Sequence, residues 1–572
     1  MAELTLKERL RKAALTVETG KRSAIASAMA GPLKRWTEPK TPVDHMLIVP
    51  QDLRTADPSF WDELEHDQFG LAGSIVLLRG RSPFEIDAPN ATWARELHGF
   101  GWLRNLAAVD TDEARDTGRR LALEWTIRFG NERHGLPAEP AVAARRLISW
   151  LSHANLLLED ADRDTYGAIT ASLGRQYAQL SGSWREAPAG YPRLLALVAL
   201  AFAALSLAGH DRQLRDIEAN LAAELGWQVL PDGGHVTRNP ALLVELLLDL
   251  LPLSQCFTAR DRSLPDQLGE AIERMLPMLR YLRLGDGMLA RFNGVSGVLA
   301  AGLATAIAYD DGSLAPLREA RASGYARLQR GDTVIVADVG RPPPLALSAG
   351  AQAGCLAFEM SAGKELLFVN GGVPGAAAAD WYPAARATAS HNTLTLAEKS
   401  SSRLIVHRKL EAMMGAPPIR YPGRVEWRLE ERAGEVALEA NHDGYRRRHE
   451  LVHSRRLRLA ADGLRLIGCD RLDGMSTKVR LRADLPFAIH FHLMPGVSCG
   501  LNAGHSEATI TLADGQRWRF GAHGAALSIE ESAYFAESSG PRPALQIVLR
   551  GVTFGETEVN WMAERLAEGK ME

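Results

Sequence analysis

Four stretches of this chain carry side chains able to act on a bound molecule. In Pro231-Asp-Gly-Gly-His-Val-Thr-Arg-Asn-Pro240 an Asp-Gly-Gly turn presents His235, Arg238 and Asn239 on a short loop ahead of an apolar helix. Asn239 also stands where a helix cap belongs, with Pro240 at the first helical position, and the two uses are compatible. In Tyr281-Leu-Arg-Leu-Gly-Asp-Gly-Met-Leu-Ala-Arg-Phe-Asn-Gly294, Tyr281 lies at the loop-ward end of a helix, beside Leu279 and Leu282 as a core residue would. Asp286 and Asn293 are polar groups of the Gly-bounded loop that follows. In Leu97-His-Gly-Phe-Gly-Trp-Leu-Arg-Asn105, Trp102 offers a ring for stacking a sugar and Arg104 a cation for an acidic group, unless the same stripe is core. The fourth stretch holds Trp381, Tyr382, Arg386, His391 and Asn392. Arg386 offers a planar fork to a carboxylate or sulfate, or else ties a loop down. His490 and His492 alternate on one strand and share a face, but no carboxylate stands near them in sequence, which makes them a poor metal pair.

The elements that must position these residues are of two kinds. From Ala91 onward apolar residues recur at three- and four-residue steps, which predicts helices over Asp112–Phe129, Pro140–Leu158, Asp164–Leu180, Tyr191–Leu207, Asp211–Leu225, Ala241–Leu253, Asp266–Leu282 and Val298–Ala308. Pro and Gly punctuate the junctions, so the pattern is an array of paired helices. Ahead of it, Thr41 to Pro89 reads as irregular. After Leu317 the period changes to two, beginning with a hairpin that turns at Arg330-Gly331-Asp332. Short strands follow at Val425–Leu429, Glu435–Glu439, Arg447–Leu451, Leu457–Leu459, Leu464–Cys469, Lys478–Arg482, Ala488–Leu493, Ala508–Leu512, Arg517–Phe520 and Gln546–Leu549. This spacing implies a large antiparallel sandwich. The division expected is a lead-in over residues 1–90, a helical domain over 91–320 and a β-domain over 321–572.

At 572 residues the chain is too long for one core. A net charge of −3 provides no basic field for nucleic acid or anionic membranes. Cys256, Cys355, Cys469 and Cys499 lie far apart, without a C-x-x-C, and read as buried hydrophobes. The N-terminal MAELTLKERLRKAALTVETGKRSAIASAMA reads as a charged amphipathic helix without the apolar core of a secretory signal. The apolar run Leu242–Leu253 is broken by Glu245, Asp249 and Pro252 too early for a membrane span. A cytoplasmic location is the expectation, with the periplasm as the alternative. No integral membrane segment is expected, and self-association is left open.

The run LAFEMSAGKELLFVNGG, followed by R-A-T-A-S-H-N-T, resembles the signature that opens the C-terminal β-domain of heparinase II/III-like proteins. The resemblance implies an α+β multidomain chain, an incomplete (α/α) toroid followed by an antiparallel β-sandwich. It also implies a polysaccharide lyase that cleaves a uronate-containing glycan by β-elimination. Such a reaction needs donors to offset the uronate carboxylate, a base for the C5 proton and an acid for the leaving oxygen. By resemblance His235 and Asn239 are the neutralising pair, Tyr281 the base and His391 the acid nearest to hand. Trp102, Arg104, Arg238, Tyr382 and Arg386 become substrate contacts, with an acidic polysaccharide or oligosaccharide as partner. His235, Arg238, Asn239, Arg386 and His391 are then expected to meet in one cleft between the domains. The family's H-x-H-x-D is replaced here by Gly350, Gln352 and Gly354. Its zinc positions fall on Gln352 and Asn370, so neither metal nor other cofactor is expected. The alternative that these replacements raise is a catalytically inactive relative that binds a glycan or an envelope component.

Overall fold

Apolar residues at helical spacing bury one face of each helix against its neighbours. The computed structural model describes residues 45–297, 300–405, 418–474, 484–537, 540–553 and 556–567, with single helical positions between 6 and 17. Helices run over Ala91–Gly99, Leu103–Val109, Asp112–Phe129, Pro140–Ser152, Ala154–Leu158, Arg163–Ser183, Tyr191–Ser206, Asp211–Gln228, Ala241–Ala259, Asp266–Tyr281 and Ala300–Ala308. Asp112–Phe129 has the predicted bounds because Thr111 caps it, accepting from the N–H of Ala114, and Gly130 ends it. The predicted Pro140–Leu158 helix is instead two, broken at His153.

The stretch before them is more ordered than its sequence suggests. It holds a helix, Ser59–Glu65, and a hairpin of β1 (Gln68–Leu71) and β2 (Ser74–Leu77). Too short to show a period, these elements are held by tertiary packing. Phe60, Phe69 and Leu78 join the same core as Trp93, Phe100, Trp125 and Trp150.

Ala241–Ala259 is long and apolar enough by composition to cross a membrane, yet it is largely buried inside the helical body. Its Asp249, 2% exposed, accepts both terminal nitrogens of Arg145 at 2.8 Å and Nη1 of Arg54 at 2.8 Å.

From Tyr325 the chain is antiparallel sheet. β3 (Tyr325–Arg330), β4 (Thr333–Asp338), β5 (Phe358–Ala362) and β6 (Glu365–Phe368) form one sheet in chain order. The strands that follow are β7 (Leu394–Leu396), β8 (Arg403–Leu404), β9 (Pro418–Arg420), β10 (Val425–Arg432), β11 (Glu435–His442), β12 (Leu451–Leu459), β13 (Arg465–Gly474) and β14 (Leu485–His492). β15 (Ser498–Leu501), β16 (Glu507–Thr511), β17 (Arg517–His523), β18 (Ala526–Tyr534), β19 (Arg542–Thr553) and β20 (Thr557–Arg565) complete the set. An eight-stranded sheet runs β10-β11-β12-β13-β20-β17-β16-β15, and a four-stranded one runs β18-β19-β14-β7. A bridge between Phe368 and Leu493 joins the two four-stranded sheets, and one hydrophobic core, including Phe358, Phe491, Phe520 and Trp561, lies under all three.

One expected strand is not one. Arg446–His449 is a helical turn closed by Glu450 at φ 58°, and β12 starts only at Leu451. Three arginines followed by a histidine have no apolar alternation to lay on a sheet face. β8, β9, β15, β18 and β20 lie outside the expected strands, and Lys478–Arg482 lies outside the described residues.

Candidate functional site

The loop ahead of Ala241–Ala259 is pinned rather than poised. Gly233, at φ 83°, leaves no room for a Cβ, which would fall 1.9 Å from the carbonyl oxygen of Arg274. Asp232 accepts from the N–H and the hydroxyl of Ser323 at 2.7 and 3.0 Å, which ties the loop to the segment entering β3. His235 is 1% exposed. Its Nδ1 accepts from the N–H of Thr237 at 3.2 Å and from the Thr237 hydroxyl at 2.7 Å, so Nε2 carries the proton and donates to Oε1 of Gln228 at 3.1 Å. Burial lowers its pKa to about 4. Both ring nitrogens are thus engaged within the loop and the helix that precedes it.

Arg238 reaches the β-domain from the same loop but is consumed there. Its guanidinium donates to the carbonyls of Ser323, Gly324, Gly340 and Arg341 and to Oδ1 of Asp338 at 2.5 Å. It is an interdomain brace, not a substrate contact. Asn239 takes the cap role, its Oδ1 accepting from the N–H of Ala241 at 2.9 Å. Its amide nitrogen lies beside Gly294, where a Cβ would come within 2.7 Å.

Tyr281 is 4% exposed; its hydroxyl donates to the carbonyl of Tyr325 at 3.3 Å and accepts from the N–H of Arg327 at 2.9 Å. Burial pushes its pKa to about 12, and both the donor and the acceptor capacity of the hydroxyl are spent on backbone. Trp102, 2% exposed, packs on Phe60, Phe69 and Phe100 and donates Nε1 to the carbonyl of Leu97 at 3.1 Å, which makes it core. Trp102 and Arg104 both line a groove of about 860 Å³, shared with Arg54, Glu96, Arg145, Glu245 and the β1–β2 hairpin. Its Nε donates to Asp52 at 3.0 Å.

In the β-domain, Arg386 donates to the carbonyls of Ala349 and Ala351 and so holds the loop that contains Gly350 and Gln352. His391 is 1% exposed and donates Nδ1–H to the carbonyl of Ala387 at 2.7 Å, and burial lowers its pKa to about 4. Its ring lies against Gly354, where a Cβ would fall 2.6 Å from Cδ2. Tyr382 is half-buried on the short helix Tyr382–Ala385, with its pKa raised by burial and partly offset by Arg386.

A chain of contacts through Asn293, Gly294, Gln352 and Gly354 strings Arg238, Asn239, Arg386 and His391 along one seam. Asn293 links Arg238 to the loop held by Arg386. Its Nδ2 donates to the Tyr325 hydroxyl at 2.9 Å and to Asp338 at 3.1 Å, and its backbone N–H donates to Gln352 at 2.8 Å. Gly294 touches Asn239, and Gly354 touches His391. His235 stays outside this line of contacts.

The sequence reading passed over Glu359, whose two oxygens accept from the N–H groups of Asn370 at 2.6 Å and Arg291 at 2.8 Å. A carboxylate between apolar neighbours in a buried strand was the available signal. The positions corresponding to the family's zinc site do not fit zinc. Gln352 and Asn370 use their carbonyl oxygens on the N–H groups of Asn293 and Asn392. His492 accepts from Ser532 on Nδ1 and donates from Nε2 to Ala389.

Comparison with known proteins agrees with this architecture. The profile described as heparinase II/III-like, C-terminal, matches residues 312–562. FtsZ-localized protein C of Caulobacter vibrioides is 32% identical over 537 residues, 91% of this chain and 90% of that protein. Among solved structures, heparinase III superposes with a TM-score of 0.71 at 13% identity, over 97% of this chain and 91% of that one. Heparan sulfate lyase HepC from Pedobacter heparinus does so with a TM-score of 0.58 at 16% identity, over 98% and 89%. These two structural matches share the fold, a toroid followed by a sandwich.

Proposed function

The chain belongs to the heparinase II/III-like family, and from that premise we propose that it is a member that binds without cleaving and works at FtsZ assemblies. One observation carries the non-cleaving part. Where the family brings an acid side chain from the β-domain, this chain brings Gly350 and Gln352, and Gln352 is hydrogen-bonded to Asn293 across the seam. An amide has no proton to give a leaving oxygen. His391 is 1% exposed with Nδ1 bonded to the carbonyl of Ala387, and Tyr281 is bonded to backbone. The FtsZ part is supported by the relative named as FtsZ-localized, whose similarity spans both halves of the chain.

The rival reading is a lyase acting on a uronate-containing polysaccharide. Family membership supports it, as does Asn239 beside Gly294 at the helix start. Incubation with a panel of uronate polymers separates the two. Ultraviolet absorbance of an unsaturated product, lost in Asn239→Ala, would establish the lyase. No product, together with co-localisation of the fluorescently tagged chain with FtsZ in dividing cells, is the result expected here.

A further inference from the structure

The groove that holds Arg104 has a wall of unusual chemistry, the β1–β2 hairpin. Ala72 and Gly73, at φ 51° and 71°, close it as a two-residue turn of the primed type. The register pairs Leu71 with Ser74 and Phe69 with Val76, and the N–H of Leu78 donates to the carbonyl of Asp67 at 2.8 Å. Hydrogen-bonded and non-hydrogen-bonded pairs alternate in an antiparallel ladder. Ser74, Val76 and Leu78 therefore face β1 with their backbone groups, while the N–H and C=O of Ile75 and Leu77 point away from it. Among the described residues nothing bonds to these four groups. Side chains follow the same alternation. Val76 packs on the helical core, whereas Ile75 and Leu77 are 60% and 55% exposed. The other strand is covered: Glu63 of Ser59–Glu65 lies so near β1 that a Cβ at Gly70 would meet its Oε2 at 2.2 Å.

An open strand edge of this kind is a liability that proteins commonly blunt with charge, Pro or a bulge. Ser74-Ile-Val-Leu77 has none of these. Two donors and two acceptors repeating every second residue match the backbone of another strand, and neither sugar hydroxyls nor lipid headgroups reproduce that repeat. In the groove at the turn end of the hairpin, Arg104 lies near Glu96 and keeps both terminal nitrogens free of hydrogen bonds among the described residues, whereas Arg54 and Arg145 are paired to Asp249. We propose that β2 receives an extended segment of a partner protein by strand addition, with aliphatic side chains opposite Ile75 and Leu77 and a carboxylate turned toward Arg104. The proposal is independent of whether the seam cleaves glycan.

The test uses the full-length chain and a displayed library of short random peptides. Selection is expected to enrich sequences with alternate aliphatic residues and an acidic residue. Ile75→Pro removes one outward N–H without touching the β1 ladder and is expected to weaken the selected peptides about tenfold or more. Ile75→Thr with Leu77→Thr tests the side chains with the backbone intact, and thermal melting shows whether each variant is folded. Hydrogen exchange on the unaltered chain gives a second readout. The amides of Ile75 and Leu77 exchange fast in the free chain and slowly with peptide bound, while Val76 and Leu78 stay slow throughout. The proposal is overturned if no peptide is enriched, if the enriched peptides bind Ile75→Pro and the threonine variant as tightly as the parent, or if the Ile75 and Leu77 amides are already protected in the free chain. That last outcome would mean the chain covers its own edge.

Discussion

Asn293 and Gln352 are hydrogen-bonded to each other twice: the N–H of Asn293 donates to Oε1 of Gln352 at 2.8 Å, and the N–H of Gln352 donates back to Oδ1 of Asn293 at 3.4 Å. The two residues come from opposite sides of the interdomain seam, and both are buried. A position that reads in sequence as a lost functional residue is, in the fold, a fastening. Gln352→Ala leaves the Asn293 N–H buried without an acceptor, which is expected to cost about 1–3 kcal/mol. Urea unfolding that is unchanged in this variant would show that the pair contributes nothing.

Arg238 makes the same point with a charge. Arg238→Met strips donors from four carbonyls and leaves Asp338, 4% exposed, without its cation. Breaking one side of a buried ion pair is expected to cost about 3–5 kcal/mol. A loss well below that range, measured by chemical denaturation, would remove the bracing role.

Tyr281→Phe separates a structural hydroxyl from a catalytic one. The expected effect is a stability loss of about 1–2 kcal/mol from the unpaired N–H of Arg327, with no change in any activity toward uronate polymers. If a turnover were found and this variant abolished it with stability intact, Tyr281 would be the base after all.

Acid should destabilise the chain in a defined window. His235 and His391 are held neutral by burial, with pKa values lowered from 6.5 to about 4. The unfolded chain therefore binds more protons than the native one between these values, so stability rises with pH there. It is complete above about pH 6.5 and is lost progressively as pH falls toward 4. Urea midpoints measured from pH 7.5 to 4.5 check the slope, which is expected to flatten in His235→Gln; a slope unaltered by that substitution would mean His235 titrates normally.

How much was legible in the sequence follows from the range of the forces involved. Helix and strand periods are written locally, so Asp112–Phe129 and the turn at Arg330-Gly331-Asp332 came out at their true positions. The R-A-T-A-S-H-N-T run and the loss of H-x-H-x-D were equally local facts, and they identified both the family and its altered positions. Ser59–Glu65 and the β1–β2 hairpin were invisible because each is too short to show a period and is held by packing on Phe60, Phe69 and Leu78. The roles of single polar side chains were beyond sequence for a different reason. Whether a histidine is a catalyst or a satisfied core residue depends on which donors and acceptors surround it, and those come from distant segments. His235 is answered by Gln228, Arg238 by Asp338, and Nδ1 of His391 by the carbonyl of Ala387. The residue types and their order were set by the chain itself; only the tertiary structure decided which distant donors and acceptors meet them, because a buried polar group is stabilised by whichever partner the fold brings to it.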